Sequence, residues 1–162
     1  LRRAGIDVVT AGLDDRPVRA SRGSVLLADM NLEQALQGDY DMVVLPGGLP
    51  GADHLDNDER VHDLLKSMAG SGGYTAAICA APKVLARAGL LQGKRATSYP
   101  GAFAPESVPG LEYVDQAVVT DGKVITSRGP GTAMDFALEL IETLAGREKR
   151  DEVEAALLRT GR

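Results

Sequence analysis

Short apolar runs alternate along the chain with segments whose apolar positions recur every three to four residues. Residues 40–46 form a compact, β-branched run ending in Gly47-Gly48, the pattern of a strand buried on both faces that feeds a loop. Beyond it, Val61, Leu64, Leu65 and Met68 recur at helical spacing and predict a helix over 58–69. Residues 74–78 are again a continuous strand-like run, broken at Cys79 into a helix-forming segment that ends near Gly89. Toward the C-terminus, Gly129-Pro130-Gly131-Thr132 opens a long helix through Phe136, Leu140, Ile141 and Leu144. A last helix over 149–158 sets Val153, Ala156 and Leu157 against mixed charge. Strands alternating with helices predict one α/β domain over 1–162, an open and mostly parallel sheet with helices on both faces.

The weaker segments fill in around this frame. Leu1-Arg2-Arg3-Ala4-Gly5 reads as the last turn of a helix, with cations at its C-terminal end and Gly5 where a left-handed conformation is favoured. A strand over 6–11 follows. A helix end without a helix start implies an upstream strand and most of a helix, roughly 20–25 residues. Short strands are expected near 18–20 and 24–27, and Asp29 or Asn31 caps a short helix over 32–36 that stops at Gly38. Residues 94–98 suggest a strand before a Pro/Gly-containing loop over 99–110, and Asp121-Gly122 joins two strand-like runs as a hairpin.

With 162 residues, 44% of them hydrophobic and 25% charged, the chain has the composition of one globular domain able to bury a core. A net charge of -5 with interspersed signs and no basic stripe argues against specific nucleic-acid binding. No run is apolar enough to span a membrane, no signal peptide is visible, and a single cysteine forms no internal disulfide. A reducing cytoplasm is therefore the expected location.

That cysteine, Cys79, is the chief candidate for chemistry. A residue on a sharp strand-to-helix turn has its side chain pushed out of the sheet, and the first N–H groups of the helix favour a thiolate over a thiol. A lone cysteine is also at home as a small buried hydrophobe. Gly47-Gly48 ends another strand on the side where open α/β sheets bind ligands, so the N–H groups of Gly48 and Ala80 could form an oxyanion hole for an adduct on Cys79. The same glycines also suit a tight turn. His54, in an Asp/Asn-rich loop, and His62, within a helix beside Asp63, read as surface histidines rather than as the base of a triad. No cluster of His, Cys and carboxylates suggests a metal, and no cofactor is implied.

Three motifs in order, Leu45-Pro46-Gly47-Gly48, the elbow Ala76-Ala77-Ile78-Cys79-Ala80-Ala81-Pro82, and Thr126-Ser127-Arg128-Gly129-Pro130-Gly131-Thr132, resemble the ThiJ/PfpI superfamily across essentially the whole chain. Within it they resemble most the bacterial YajL (ThiJ) branch, which also contains the human parkinsonism-associated protein deglycase. The resemblance implies a flavodoxin-like three-layer sandwich, a homodimer, Cys79 as the reactive cysteine, and Gly48 and Ala80 as oxyanion donors. It implies that Arg22 approaches the partner's site, that Arg3 lies at an interface, and that the Gly129-Pro130 loop borders the neighbouring pocket. Two features depart from the family pattern. The first-helix glutamate that hydrogen-bonds the cysteine is not in this sequence, and Tyr99 stands where many relatives carry a histidine. The activity implied is that of a cysteine-dependent deglycase or glyoxalase acting on dicarbonyls or glycated adducts. A redox sensor or redox-activated chaperone would use the same thiolate. Protease or amidotransferase chemistry is disfavoured, because no histidine follows Cys79 and no His-x-Glu lies downstream.

Overall fold

A computed structural model describes residues 1–159. After a 3-10 turn over Arg2–Ala4 come strands β1 (Ala11–Gly12), β2 (Val18–Arg19), β3 (Val25–Leu26) and β4 (Met30–Asn31), then helix α1 (Leu32–Ala35) and strand β5 (Met42–Leu45). Helices α2 (Gly51–Asp56) and α3 (Glu59–Gly70) lead to β6 (Tyr74–Ile78) and α4 (Pro82–Arg87). The second half carries β7 (Arg95–Ala96), β8 (Glu112–Tyr113), β9 (Val118–Asp121) and β10 (Val124–Ser127), followed by α5 (Ala133–Ala145) and α6 (Arg147–Ala156).

The main sheet has the order β5-β6-β10-β9. Its first three strands are parallel, with Leu45 opposite Ala77 and Ile125 opposite Ala76, and β9 closes it as an antiparallel hairpin with β10. β6 is central because its middle residues, Thr75, Ala76 and Ala77, are small and fully buried, so helices approach it closely from both sides. On one face Leu45, Ala77 and Val124 pack with Val61 and Leu65 of α3 and with Val84 and Leu85 of α4. On the other, Ala76 and Ile125 pack with Phe136 and Leu140 of α5, whose outer side holds Val153 of α6 through Leu138 and Ile141. Each buried Leu or Ile contributes roughly 1.5–3 kcal/mol relative to exposure. These two cores make the three-layer α/β sandwich, the flavodoxin-like fold expected from the alternation of elements.

Several helix ends are fixed by named side chains. Asn31 accepts from Gln34 N at 2.9 Å while the Gln34 side chain accepts from Asn31 N, a reciprocal capping box on α1. Asp29, the other cap candidate, instead accepts from Thr10 and pairs with Arg2. Asp58 caps α3 by accepting from Arg60 N at 3.0 Å, and the Arg60 guanidinium beside it holds its carboxyl below the usual carboxylate range.

Three sequence expectations are corrected. Of the strand expected over 6–11, only Ala11 enters a ladder, with Met30 of β4. Side chains satisfy the backbone before it, since Asp29 accepts from Thr10 N and Arg2 donates to Val8 O, each at 2.8 Å. The Asp/Asn-rich loop carrying His54 is helix α2, begun by Ala52 N donating to Gly48 O at 2.8 Å and His54 N to Pro50 O at 3.0 Å. One and a half turns are too few to show a period. His62, expected at the surface, is only 4% exposed, because α2 folds over the start of α3 and brings Asp56 O to 2.9 Å from His62 Nε2. His54 is exposed as expected. Among the described residues no helix is long and apolar enough to cross a membrane.

Candidate active site

β6 ends at Ile78 and α4 begins at Pro82, and the turn between them puts Cys79 at φ 64°. For a residue with a Cβ this left-handed conformation costs on the order of 1–3 kcal/mol and persists only where the surroundings over-determine it. They do so here. Cys79 N donates to Ser127 O of β10 at 2.9 Å, Tyr99 N donates to Cys79 O at 2.8 Å, and Ala81 N closes the turn onto Ile78 O at 3.1 Å. Both backbone polar groups of Cys79 are thus held by neighbouring segments, while its thiol is free and half-buried. This is the geometry of a nucleophile elbow.

The loop after β5 presses against the elbow. A Cβ placed on Gly47 would lie 2.6 Å from Cys79 Cβ and 2.7 Å from Ile78 O, so only glycine lets the two strand ends come this close. Gly48 follows at φ 92°, next to Ser21 on the β2–β3 turn. Among the described residues neither Gly48 N–H nor Ala80 N–H donates to a protein acceptor. Two amides without an acceptor, one directly after Cys79 and one in the loop packed against it, are the kind of donors that an oxyanion on a Cys79 adduct would require.

Tyr99, tied to the elbow by its backbone amide, packs on Gly129. The Tyr99 ring is 52% exposed and lies over Gly129, where a Cβ would come within 3.4 Å of the ring. Gly129 N donates to Thr132 Oγ1 at 3.0 Å, Thr132 Oγ1 lies 2.7 Å from Ser127 Oγ, and Ser127 Oγ donates to Ala117 O at 2.8 Å. These hydroxyls fasten the Gly129-Pro130 turn to the end of β10, whose carbonyl also receives the Cys79 amide.

Gly47 therefore packs against the Cys79 elbow, Tyr99 is hydrogen-bonded to that elbow and covers Gly129, Gly48 and Ala80 directly follow Gly47 and Cys79, and Pro130 is exposed beyond Gly129. Arg22 is exposed on the β2–β3 turn, and its neighbour Ser21 touches Gly48 of the same chain. Arg3 is exposed on the N-terminal 3-10 turn. His62 is engaged with Asp56 and is not presented to the elbow as a base. Sequence reasoning gave no role to Gly47 or to the Ser127–Thr132 hydroxyl pair. The signal was present in two threonines and a serine bracketing a Gly-Pro turn, but their partners are set only in three dimensions. Among the described residues no group of three or more His, Cys, Asp and Glu stands together as metal ligands. Two wider surface concavities, about 440 Å³ beside Tyr40 and Met68 and about 270 Å³ beside Leu138 and Arg150, are not lined by Cys79.

Comparison with known proteins agrees with this geometry. The chain is 51% identical over 160 residues to protein dj-1beta of Drosophila melanogaster, covering 98% of this chain and 85% of the relative. It is 37% identical over 153 residues to the glutathione-independent glyoxalase DJR-1.2 of Caenorhabditis elegans, covering 94% of this chain and 81% of that one. The crystal structure of Drosophila melanogaster DJ-1beta superposes with a TM-score of 0.92 at 49% identity, over 99% of this chain and 87% of the other. The DJ-1/PfpI family model matches residues 1–143. With the strand-end motifs, the elbow and the fold all in agreement, the chain belongs to the DJ-1/PfpI family.

Proposed function

We propose that this protein is a cysteine-dependent enzyme of the glyoxalase or deglycase type, acting on small reactive dicarbonyls or the glycated adducts they form. The observation that carries the reading is Cys79, held at φ 64° beside two amides, of Gly48 and Ala80, that donate to nothing else among the described residues. The name of the worm relative, a glutathione-independent glyoxalase, supports it.

With methylglyoxal, the Cys79 thiolate adds to the aldehyde carbon, and the C–S bond forms as the carbonyl electron pair moves to oxygen. The two amides receive that oxyanion. A base removes the proton from the former aldehyde carbon and an acid returns one to the neighbouring carbon, converting the thiohemiacetal into a lactoyl thioester. Water then attacks the thioester and expels the Cys79 thiolate, so one dicarbonyl and one water become one lactate. By family resemblance a first-helix glutamate, a residue this sequence does not contain, would carry these protons. Tyr99 over Gly129 forms the aromatic wall, and no cofactor takes part. Methylglyoxal consumption in amine-free buffer tests the reading. Cys79→Ala should lose it by at least about a hundredfold, and wild-type consumption by that variant would sink the proposal.

A second reading is a redox sensor or redox-activated chaperone, favoured by the same free, half-buried thiol, since the two amides would also stabilise a sulfinate. The matched relatives include fly, fish, plant and worm proteins, so they support the DJ-1/PfpI family and not the bacterial YajL-type branch in particular.

A homodimer belongs to the same proposal. Val25, Leu26, Leu27 and Leu49 are each more than half exposed, and their segments adjoin through the Ser21–Gly48 contact. A second copy covering them would carry Arg3, Arg22 and the Gly129-Pro130 loop toward a shared surface. A monomer in sedimentation at micromolar concentration would count against it. An upstream strand and helix would pair the free edge of β5 and cover Val44, which is 37% exposed. An N-terminally extended chain should then unfold at a higher temperature than residues 1–162, and an equal midpoint would refute this. A cytoplasmic location fits a thiol kept reduced.

A further inference from the structure

The two helices that leave the candidate site are joined by an ion-pair seam. α2 follows the Gly47-Gly48 loop and α4 follows the Cys79 elbow. Asp53 and Asp56 stand three apart on α2, and Lys83 and Arg87 four apart on α4, so each pair occupies one helix face. Asp53 Oδ1 pairs with Lys83 Nζ, and Arg87 Nη1 donates to Asp56 O at 3.1 Å with Asp56 Oδ2 at 3.4 Å. Asp56 is held from the other side as well, by His62 Nε2 at 2.9 Å from its carbonyl.

From these contacts we infer that Lys83 and Arg87 are positioning residues that set the distance between the Gly48 amide and Cys79 by holding α2 against α4. This rests on the reading that Gly48 N–H receives the adduct's oxyanion. A Cβ on Gly47 would meet Cys79 Cβ, Ile78 O and Ala80 N of the elbow, so the loop packs closely there. Among the described residues no backbone hydrogen bond ties Gly47 to the elbow, and Gly48, at φ 92°, lies just beyond it. What fixes the far end is the hydrogen bond from Ala52 N to Gly48 O at 2.8 Å, which makes the loop an extension of α2. The placement of α2 therefore determines where the Gly48 amide points. Ala52 is fully buried at this junction, and the Lys83 ammonium reaches across from the first turn of α4 to Asp53, the next residue. Half-exposed ion pairs contribute little to overall stability, whereas displacement of an oxyanion donor by a fraction of an ångström weakens transition-state binding without weakening substrate binding.

The test uses Lys83→Met, Asp53→Asn and the charge-reversed pair Asp53→Lys with Lys83→Asp in the full chain. Methylglyoxal kinetics and amide hydrogen exchange at Ala52 are measured, with Ile125 in β10 as the core reference. Each single variant should lower kcat by roughly tenfold with KM held within about twofold. Ala52 exchange should quicken by at least about tenfold while Ile125 stays protected, and the charge-reversed pair should recover most of both losses. Unchanged Ala52 exchange, equal loss of protection at Ile125, or a charge-reversed pair no better than the single variants would each overturn the inference. Should the wild type fail to consume methylglyoxal, the proposed activity falls. Ala52 exchange in the three variants then still decides whether the seam holds the loop.

Discussion

The backbone amide of Tyr99 donates to the carbonyl of Cys79 at 2.8 Å, so the residue whose ring lies over Gly129 also holds Cys79 in its left-handed turn. Ser127 does the same from the other side, accepting from Cys79 N while its hydroxyl lies against Thr132. The elbow and these two flanking segments are therefore one hydrogen-bonded unit. Perturbing either segment should disturb Cys79, and perturbing the Cys79 backbone should disturb both.

Gly47→Ala is expected to damage both stability and chemistry. The added methyl would lie 2.6 Å from Cys79 Cβ and 2.7 Å from Ile78 O, and the second of these is backbone in a central strand. Overpacking of this kind costs about 1–3 kcal/mol. Gly131→Ala, where nothing stands within 4 Å of the new methyl, should be close to neutral. Urea unfolding of the two variants beside wild type checks the contrast, and equal midpoints would contradict it.

Cys79→Gly should be more stable than Cys79→Ala although both are inactive. At φ 64° alanine keeps the steric cost that glycine escapes, a difference of about 1 kcal/mol in favour of glycine. In most strands and helices the order is the reverse. A higher unfolding temperature for Cys79→Ala would show that the turn is not strained.

The Asp58–Arg60 pair gives a pH-dependent expectation. The guanidinium of Arg60 lowers the Asp58 carboxyl in the folded state, so its stabilisation is fully present above the unfolded value of about 3.9 and is lost as pH falls through the folded one. Asp58→Asn keeps a good helix cap but not the charge. The variant should be less stable than wild type near neutral pH, by no more than about 1 kcal/mol for a partly exposed pair, and the gap should narrow as pH falls below the unfolded value of about 3.9. Thermal midpoints across that range read it directly, and a gap that widens in acid would reverse the assignment.

Much of the fold was legible because the relevant signals are local. β6 and β10 announce themselves as short apolar runs, α3 and α5 as helical periods, and the Cys79 turn as a break between two such patterns. What could not be read, beyond the hairpin at Asp121-Gly122, was pairing between segments distant in sequence. Residues 6–10 carry strand-forming side chains, yet the Asp29 carboxylate takes Thr10 N and the Arg2 guanidinium takes Val8 O. α2 was missed because six residues show no period, and with it went the burial of His62, which depends on α2 lying across α3. In the candidate site, Cys79 and the amides of Gly48 and Ala80 are candidates because glycine and cysteine stand at strand ends. The parts that hold them, Gly47 against Cys79, Tyr99 over Gly129 and Ser127 beside Thr132, join segments distant in sequence.

Oxidation of Cys79 should abolish turnover in proportion to its extent. Two peroxide molecules each deliver one oxygen to the sulfur and leave as water, carrying the thiolate through sulfenate to sulfinate. A sulfinate spreads its charge over two oxygens, and its sulfur is a far poorer nucleophile toward an aldehyde carbon than a thiolate, yet its oxygens can accept from the Gly48 and Ala80 amides, which donate to no other group among the described residues. The product should therefore accumulate at two oxygens rather than run on to three. Four methionines, among them the exposed Met134, will also take up oxygen. The relevant quantity is accordingly the difference in intact mass between wild type and Cys79→Ala treated alike. A difference of two oxygens that rises in step with lost methylglyoxal consumption is expected. Loss of activity while the two proteins gain equal mass would place the sensitive group elsewhere. Full activity on a chain carrying the sulfinate would remove Cys79 from the chemistry altogether.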